Sequence, residues 1–306
     1  MGAFKKAACS GLFLSSYHAR IDLRRPNHAM PDRYAVIGHP IAHSQSPLIH
    51  SLFAQATGQN LTYEAIDGGS ERGGFTRTLA AFRAAGGRGV NVTLPFKLEA
   101  LACADESDEA ALLAGAANAL RFDGGRIEAR NFDGAGLVRD IAVNLVVPLH
   151  AARVLLLGAG GAARGAILPL ARAGAARIVI ANRTADKARQ LAADFAPHAG
   201  GCAIAGAGLD GLEGEAFDIV INATSASLSG ADLLVPDGAF ALAHLAYDMV
   251  YGKGLTPFLR QAQAAGARRL ADGIGMLVEQ AAEAFAWWRG LRPETAPVIQ
   301  RLSVER

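Results

Sequence analysis

The stretch Arg153-Val154-Leu155-Leu156-Leu157-Gly158-Ala159-Gly160-Gly161-Ala162-Ala163 decides the fold. Its apolar run reads as a strand, its glycines as a tight turn, and its Ala-rich continuation as a helix. That order is the order of a dinucleotide site. Gly158 permits the sharp turn, Gly160 lets backbone N–H groups approach a pyrophosphate, and Ala163 replaces the third glycine where helix packs on strand. Ala159, Gly161 and Ala162 complete the loop expected at the cofactor. A bare G-x-G-x-x-A string occurs by chance, so the context carries the weight. Arg177-Ile178-Val179-Ile180 supplies it, a second β-like run at the distance expected of a βαβ unit.

The residues after that second run choose the dinucleotide. An NAD site wants a carboxylate at the strand tip to accept from the ribose 2′-OH. Here the tip reads Asn182-Arg183-Thr184, with Lys187 one helical turn further on. Arg183 can lie flat on adenine and fork onto a 2′-phosphate, and Lys187 can add a point charge. The expected cofactor is therefore NADP(H), against the plainer alternative of an ordinary basic helix start.

With 306 residues, 51% of them hydrophobic, the chain is long enough for one large or two medium domains, and two is the better reading. A net charge of +2 gives no basic field, and clusters of aromatic and basic residues are absent, so nucleic acid is disfavoured as a partner. Cys9, Cys103 and Cys202 are odd in number and scattered, which suits reduced thiols in a cytoplasmic protein and gives no zinc spacing. No apolar run approaches membrane-spanning length. The expected partner is a small molecule, with no nucleic acid and no membrane, on a monomer or homodimer.

Residues 1–29 stand apart. Lys5-Lys6 and the apolar residues after them faintly resemble a signal peptide, but the apolar part is short and no clear cleavage site follows. The globular pattern begins just after Met30, at Tyr34-Ala35-Val36-Ile37, so residues 1–29 are expected to be an upstream-start extension or a disordered tail.

Beyond that point the chain alternates strands and helices, an α/β pattern. Strands are expected at Tyr34 to Ile37, Leu61 to Ile66 and Gly89 to Val92, with helices at Pro47 to Ala56 and Gly74 to Ala85. Gly124-Gly125 mark a turn between two short strands, and a helix is expected from Gly134 to Asn144. After the dinucleotide motif come helix Ala185 to Phe195, strand Phe217 to Asn222, strand Leu245 to Val250 and helix Thr256 to Ala265, continuing a doubly wound sheet. An apolar helix, Gly275 to Trp288, follows.

Several stretches carry candidate chemistry. Ser44 and Ser46 lie between the first strand and first helix, where two hydroxyls beside unpaired helix amides make an anion grip for a carboxylate; Ser46 is equally readable as a plain helix cap. His39, His43 and His50 match no common metal spacing and have no acidic neighbour in sequence, so no metal is expected. In Asn91-Val92-Thr93-Leu94-Pro95-Phe96-Lys97, Lys97 sits just beyond a strand, where a lysine can exchange a proton if a carboxylate holds it. Asp133, in Asn131-Phe132-Asp133-Gly134, is a candidate partner, though Lys97 also reads as a solvated lysine and Asp133 as a helix cap. Spacing alone does not pair them.

Taken in order, these motifs resemble one family, shikimate dehydrogenase. The resemblance runs from about Tyr34 to the C-terminus and adds Asn118, Gly158 to Gly165, Asn222-Ala223-Thr224-Ser225, Asp248-Met249-Val250-Tyr251 and the run from Asp272 to Ala281. It implies a Rossmann-type doubly wound NADP-binding domain over residues 133–272 and an α/β substrate-binding domain built from residues 30–132 and 273–306. The implied reaction is reversible hydride transfer between NADPH and 3-dehydroshikimate, giving shikimate for aromatic amino-acid synthesis. It also implies roles: Ser44, Ser46 and Tyr251 for the substrate carboxylate, Asn91, Thr93, Asn118 and Gln280 for ring hydroxyls, and Lys97 with Asp133 as the catalytic pair. Thr224, Met249 and Gly273 are placed at the cofactor by the same resemblance. The chain departs from the family pattern at Ala119 and Phe132, where threonine is usual, and at Ser227, where glycine is common. Those departures leave open a quinate or other shikimate-like hydroxy acid as substrate, or a paralogue that binds cofactor with impaired turnover.

Overall fold

In the computed structural model, residues 30–224, 226, 235–252 and 254–304 are described. The expectations for residues 1–29, Ser225 and Ser227 lie outside them. Two six-stranded sheets organise the rest.

The first sheet is built from β1 (Asp32–Gly38), β2 (Leu61–Asp67), β3 (Gly87–Val92), β4 (Glu106–Ser107), β5 (Ala119–Asp123) and β6 (Arg126–Arg130), in the order β2-β1-β3-β5-β6-β4. Strands β1, β2 and β3 are parallel. The expected Gly124-Gly125 turn joins the antiparallel pair β5 and β6, with both glycines at positive φ. Helices α1 (Ser46–Thr57), α2 (Gly74–Ala84), α3 (Lys97–Ala102) and α4 (Glu109–Ala114) accompany this sheet.

The second sheet contains β7 (Arg153–Leu157), β8 (Arg177–Ala181), β9 (Ala203–Ala207), β10 (Ile219–Asn222), β11 (Leu245–Asp248) and β12 (Leu270–Asp272). All its pairings are parallel, and the order β9-β8-β7-β10-β11-β12 is that of a doubly wound dinucleotide fold. The apolar run of β7 explains its central place: Val154 and Leu156 enter the core on one face, Leu155 and Leu157 the core on the other. The strand order reverses between β7 and β10, so a crevice opens beyond their carboxyl ends.

Several boundaries differ from the sequence reading for local reasons. The helix expected over Gly134 to Asn144 is α5 (Asp133–Arg139) followed by a π-helical turn, Asp140–Asn144, closed by Leu145 N–H donating to the Asp140 carbonyl at 2.9 Å. Strand β11 stops at Asp248 because its carboxylate takes the Val250 N–H at 3.1 Å and turns the chain. Strand β9 has no counterpart in the sequence reading; its Ala203-Ile204-Ala205-Gly206-Ala207 has little β-branched signal.

Helices α6 (Gly161–Arg172), α7 (Ala185–Phe195) and α8 (Pro257–Ala264) flank the second sheet. The long α9 (Ile274–Arg289) returns to pack on α1 and β3, and α10 (Ala296–Val304) packs on α9. Helix α5 lies between α6 and α9 at very short range. A Cβ on Gly134 would stand 2.1 Å from the Gly165 carbonyl oxygen, and one on Gly136 would stand 2.8 Å from Gln280 N, so glycine is required at both contacts.

Candidate active site

Asp133 opens α5 and Lys97 opens α3, and the two meet, a pairing that their spacing in the sequence does not give. Lys97 Nζ donates to Asp133 Oδ2 at 2.6 Å, with the two side chains 26% and 15% exposed. The carboxylate is therefore engaged with a side chain rather than capping its own helix. Asp133 is the first residue of α5, with Phe132 at the cap position, and Asn131 Oδ1 takes the Asp133 N–H at 3.0 Å.

Asn118 is the hub of the cluster. Its Nδ2 donates to Asp133 Oδ1 at 2.8 Å and to Gln280 Oε1 at 3.2 Å, and its Oδ1 accepts from Phe132 N at 2.8 Å. Asn91 Nδ2 donates to the Asn118 carbonyl at 3.1 Å. Asn91, Asn118 and Gln280 are all buried, on β3, at the start of β5 and on α9. Such burial requires partners for their amides, and the network supplies them. One residue the sequence reading missed completes this wall: Tyr63 on β2 donates to Asn91 Oδ1 at 2.7 Å and its hydroxyl also meets Ser46. Nothing in an alternating strand marks such a tyrosine beforehand.

Ser46 begins α1 and is buried, while the Ser44 hydroxyl accepts the Ser46 N–H at 3.3 Å. Tyr251, just beyond β11, packs against the apolar cluster of Ile49, Phe53 and Val278, which brings it to α1. The Thr93 methyl stands where a Cβ on Gly38 would lie, 2.3 Å from it, so β1 and the β3 end are in close contact. His39, which has no acidic neighbour in sequence, pairs with Asp67 at 2.7 Å. His50 is fully buried with neither ring nitrogen hydrogen-bonded; Asn91 approaches without bonding geometry, and burial pushes the imidazole down to about 3. Its ring stacks on Tyr63 with centroids 4.0 Å apart. Among the described residues no group of three potential metal ligands converges.

Two of the three departures from the family pattern lie among the described residues. Ala119 is fully buried on β5. Phe132 is half-buried with its ring edge-on to Trp287, centroids 5.8 Å apart, and Arg121 and Arg130 lie over that indole at 4.8 and 4.7 Å. Its link to Asn118 uses the backbone, which any residue provides.

The glycine loop lies at the end of β7. Gly158 has φ +108°, a conformation that a side chain would strain, and a Cβ there would stand 3.0 Å from the Thr224 methyl. Gly160 and Gly161 are exposed, with open space where a Cβ would project, so a phosphate can approach the first turn of α6. Thr224 is held by Asn222 Oδ1 through both its N–H, at 3.0 Å, and its hydroxyl, at 2.8 Å. Gly273 abuts Met249, whose carbonyl would lie 2.2 Å from an added Cβ. Thus Gly158, Thr224, Met249 and Gly273 gather at the carboxyl ends of β7, β10, β11 and β12. Asn182 Nδ2 donates to the Thr184 carbonyl at 3.0 Å and shapes the turn after β8. Arg183 and Lys187 are exposed and free of ion pairs among the described residues, as a phosphate clamp needs. These residues fit a phosphorylated dinucleotide.

Comparison with known proteins gives the family. Three family models match: shikimate dehydrogenase substrate binding domain over residues 36–120, shikimate / quinate 5-dehydrogenase over 140–229, and shikimate 5'-dehydrogenase C-terminal domain over 273–302. A shikimate dehydrogenase (NADP(+)) from Nitrosospira multiformis is 58% identical over 273 residues, covering 89% of this chain and 98% of that protein. An Ael1 enzyme from Pseudomonas putida superimposes with TM-score 0.84 at 56% identity, covering 89% and 98%. Shikimate 5-dehydrogenase from Thermus thermophilus, solved with NADP(H) and shikimate, gives TM-score 0.76 at 34% identity, covering 88% and 97%. The chain belongs to the shikimate dehydrogenase family.

Proposed function

We propose that this chain is an NADP-dependent oxidoreductase that interconverts 3-dehydroshikimate and shikimate, a step of aromatic amino-acid biosynthesis. The observation that carries this reading is the Lys97–Asp133 pair at 2.6 Å, held by the Asn118 hub. Residues 30–132 and 273–306 form the substrate-binding domain and residues 133–272 the NADP-binding domain. The protein acts in the cytoplasm.

NADPH bound at the glycine loop supplies the hydride. The chain's own residues do the rest. Reducing a ketone builds charge on its oxygen, and that charge needs a proton donor within about 3 Å. Lys97 Nζ donates that proton, and Asp133 orients the ammonium while accepting from a substrate hydroxyl. Asn91, Thr93, Asn118 and Gln280 bind ring hydroxyls, and Asn91, Asn118 and Gln280 are already held by hydrogen bonds within the chain, which favours a fixed pose. Ser44 and Ser46 take the carboxylate, with Tyr251 beside them. Arg183 and Lys187 hold the 2′-phosphate, Asn182 and Thr184 shape their turn, and Thr224, Met249 and Gly273 line the crevice next to Gly158. No step requires a metal.

Phe132 supports a second reading, in which a quinate-like hydroxy acid is the better substrate, because a bulky residue replaces the family's threonine at the position directly before Asp133, its backbone N–H bonded to Asn118. Steady-state assays of the purified chain with shikimate and quinate, each with NADP+ and NAD+, decide the matter by absorbance of the reduced cofactor. The highest kcat/KM is expected for shikimate with NADP+. A higher value for quinate, or for NAD+, overturns the assignment.

A further inference from the structure

Helix α5 carries Asp133 and α9 carries Gln280 to the Asn118 hub. Seven residues beyond Asp133, in the π-helical turn, Asp140 is 3% exposed and accepts at Oδ2 from the Tyr247 hydroxyl at 2.7 Å. Tyr247 is fully buried on β11, the strand that leads to Met249. Asn144 Nδ2 donates to Asp140 Oδ1 and to Glu279 Oε1, both at 2.9 Å. Glu279 directly precedes Gln280, is fully buried, and is held by Thr295 at 2.7 Å, Arg292 at 2.5 Å and Arg139 at 3.2 Å. Arg269, just before β12, bonds the Leu145 carbonyl at the end of the same turn. Helix α9 starts directly on the Asp140 carboxylate, since a Cβ on Gly275 would stand 1.9 Å from Asp140 Oδ1.

We propose that Tyr247 and Asp140 are positioning residues for hydride transfer: their bond locks the two helices bearing Asp133 and Gln280 to the sheet that presents the cofactor crevice, without either residue touching a ligand. This rests on the functional reading above. The argument is geometric. The other polar ties of this segment, from Asp133 to Lys97 and Asn118 and from Arg139 to Glu279, do not reach the second sheet, whereas the buried bond from Asp140 to Tyr247 does, and such a bond has one good geometry. The π turn costs regular helix bonding, and it aims the Asp140 carboxylate at Tyr247. Burial pushes the Asp140 carboxyl up, with the Glu279 and Asp272 charges adding, so this acid depends on its Tyr247 and Asn144 donors. Hydride transfer falls steeply with donor–acceptor misplacement on the order of 1 Å. A lock that sets that distance therefore acts on kcat, while the phosphate-binding loop, outside the network, keeps its affinity for NADP.

Tyr247→Phe tests this, because it removes the hydroxyl and keeps the ring. The variant and the wild type are assayed side by side with NADPH and with NADPH deuterated at the transferred position. We expect kcat to fall about tenfold, KM for NADPH to stay within about twofold, and the isotope effect on kcat to rise as hydride transfer becomes rate-limiting. Ile178→Val, a core trim in the same sheet, should lower thermal stability without changing kcat or the isotope effect. Unchanged kcat and isotope effect in Tyr247→Phe, whatever its melting temperature, overturn the proposal, and so does an equal loss in Ile178→Val. Should Tyr247→Phe not fold, Asp140→Asn keeps the shape and the bond from Asn144, while the new amide donates to the Tyr247 oxygen in place of accepting from its hydroxyl, and a kcat near wild type is expected; a kcat loss as large as that of Asn144→Ala would contradict the lock. No turnover of 3-dehydroshikimate by the wild type rejects the functional reading instead, so the two failures are separable.

Discussion

Asn118→Asp is nearly isosteric, yet it removes the amide donor that serves both Asp133 and Gln280 at the centre of the site. Phe132 N–H keeps its acceptor, while a carboxylate oxygen now faces Asp133 Oδ1 across the 2.8 Å that the Asn118 amide spans. Two like charges at such range repel by about 4 to 6 kcal/mol at an effective dielectric near 20. That is roughly three to four pH units of added proton affinity, so the pair retains one shared proton far above the usual carboxylate range. The protonated form donates to Asp133 much as the amide does, and it keeps the net charge facing Lys97. The folded pair thus binds a proton that the unfolded chain has released, and stability is lost as pH rises from about 4 toward neutral at up to ~1.4 kcal/mol per pH unit. Thermal unfolding and kcat/KM, measured against wild type from pH 5 to 9, should show a variant close to wild type in acid that loses both stability and activity toward alkaline pH. A deficit of constant size across that range would refute the reasoning, because it would mean that Asp133 and Asn118 are not coupled as the structure places them.

Other substitutions probe separate parts of the account. Arg183→Ala should raise KM for NADP+ by roughly ten- to hundredfold, as expected for losing a charge-assisted contact, and leave NAD+ nearly unaffected; equal effects on both cofactors would reject the phosphate clamp. His50 is buried neutral with its imidazole down to about 3, below its unfolded value, so stability held above the unfolded value is lost as pH falls toward 3. In His50→Phe the slope of melting temperature against pH between about 6.5 and 4 should flatten, and an unchanged slope would place the acid sensitivity elsewhere. Phe132→Thr removes the edge-to-face contact with Trp287, costing about 1 to 3 kcal/mol, and should improve kcat/KM for shikimate several-fold; a destabilised protein with no kinetic gain means the ring serves packing alone.

What the sequence made legible, and what it hid, follows from the range of the interactions. The β7 run and the glycines after it announce themselves because strand, turn and helix start are local, and the structure places them at the centre of a doubly wound sheet. The place of Arg183 just beyond the tip of β8 was readable for the same reason, since its neighbours there are set by the chain itself. The pairing of Lys97 with Asp133 was not readable from spacing, since it joins the starts of two helices 36 residues apart. The motif order implied that pairing and the geometry supplies it. Tyr63 and Asp140 were missed entirely. Each acts through a partner distant in sequence, Asn91 for one and Tyr247 for the other, and no local pattern distinguishes a tyrosine that holds an amide from one that fills a core. The π turn likewise has no periodic signature, because it exists to satisfy a carboxylate that only tertiary packing buries.

Lys97→Ala bears most directly on the central claim that Lys97 is the proton donor in an NADP-dependent ketone reduction. Single-turnover reduction of 3-dehydroshikimate by NADPH, with substrate affinity measured separately by titration, reads the chemical step apart from binding. The account predicts a rate at least about a hundredfold below wild type with affinity nearly kept, the signature of a lost general acid. A variant that retains most of its rate and instead loses affinity would contradict it and make Lys97 a binding residue.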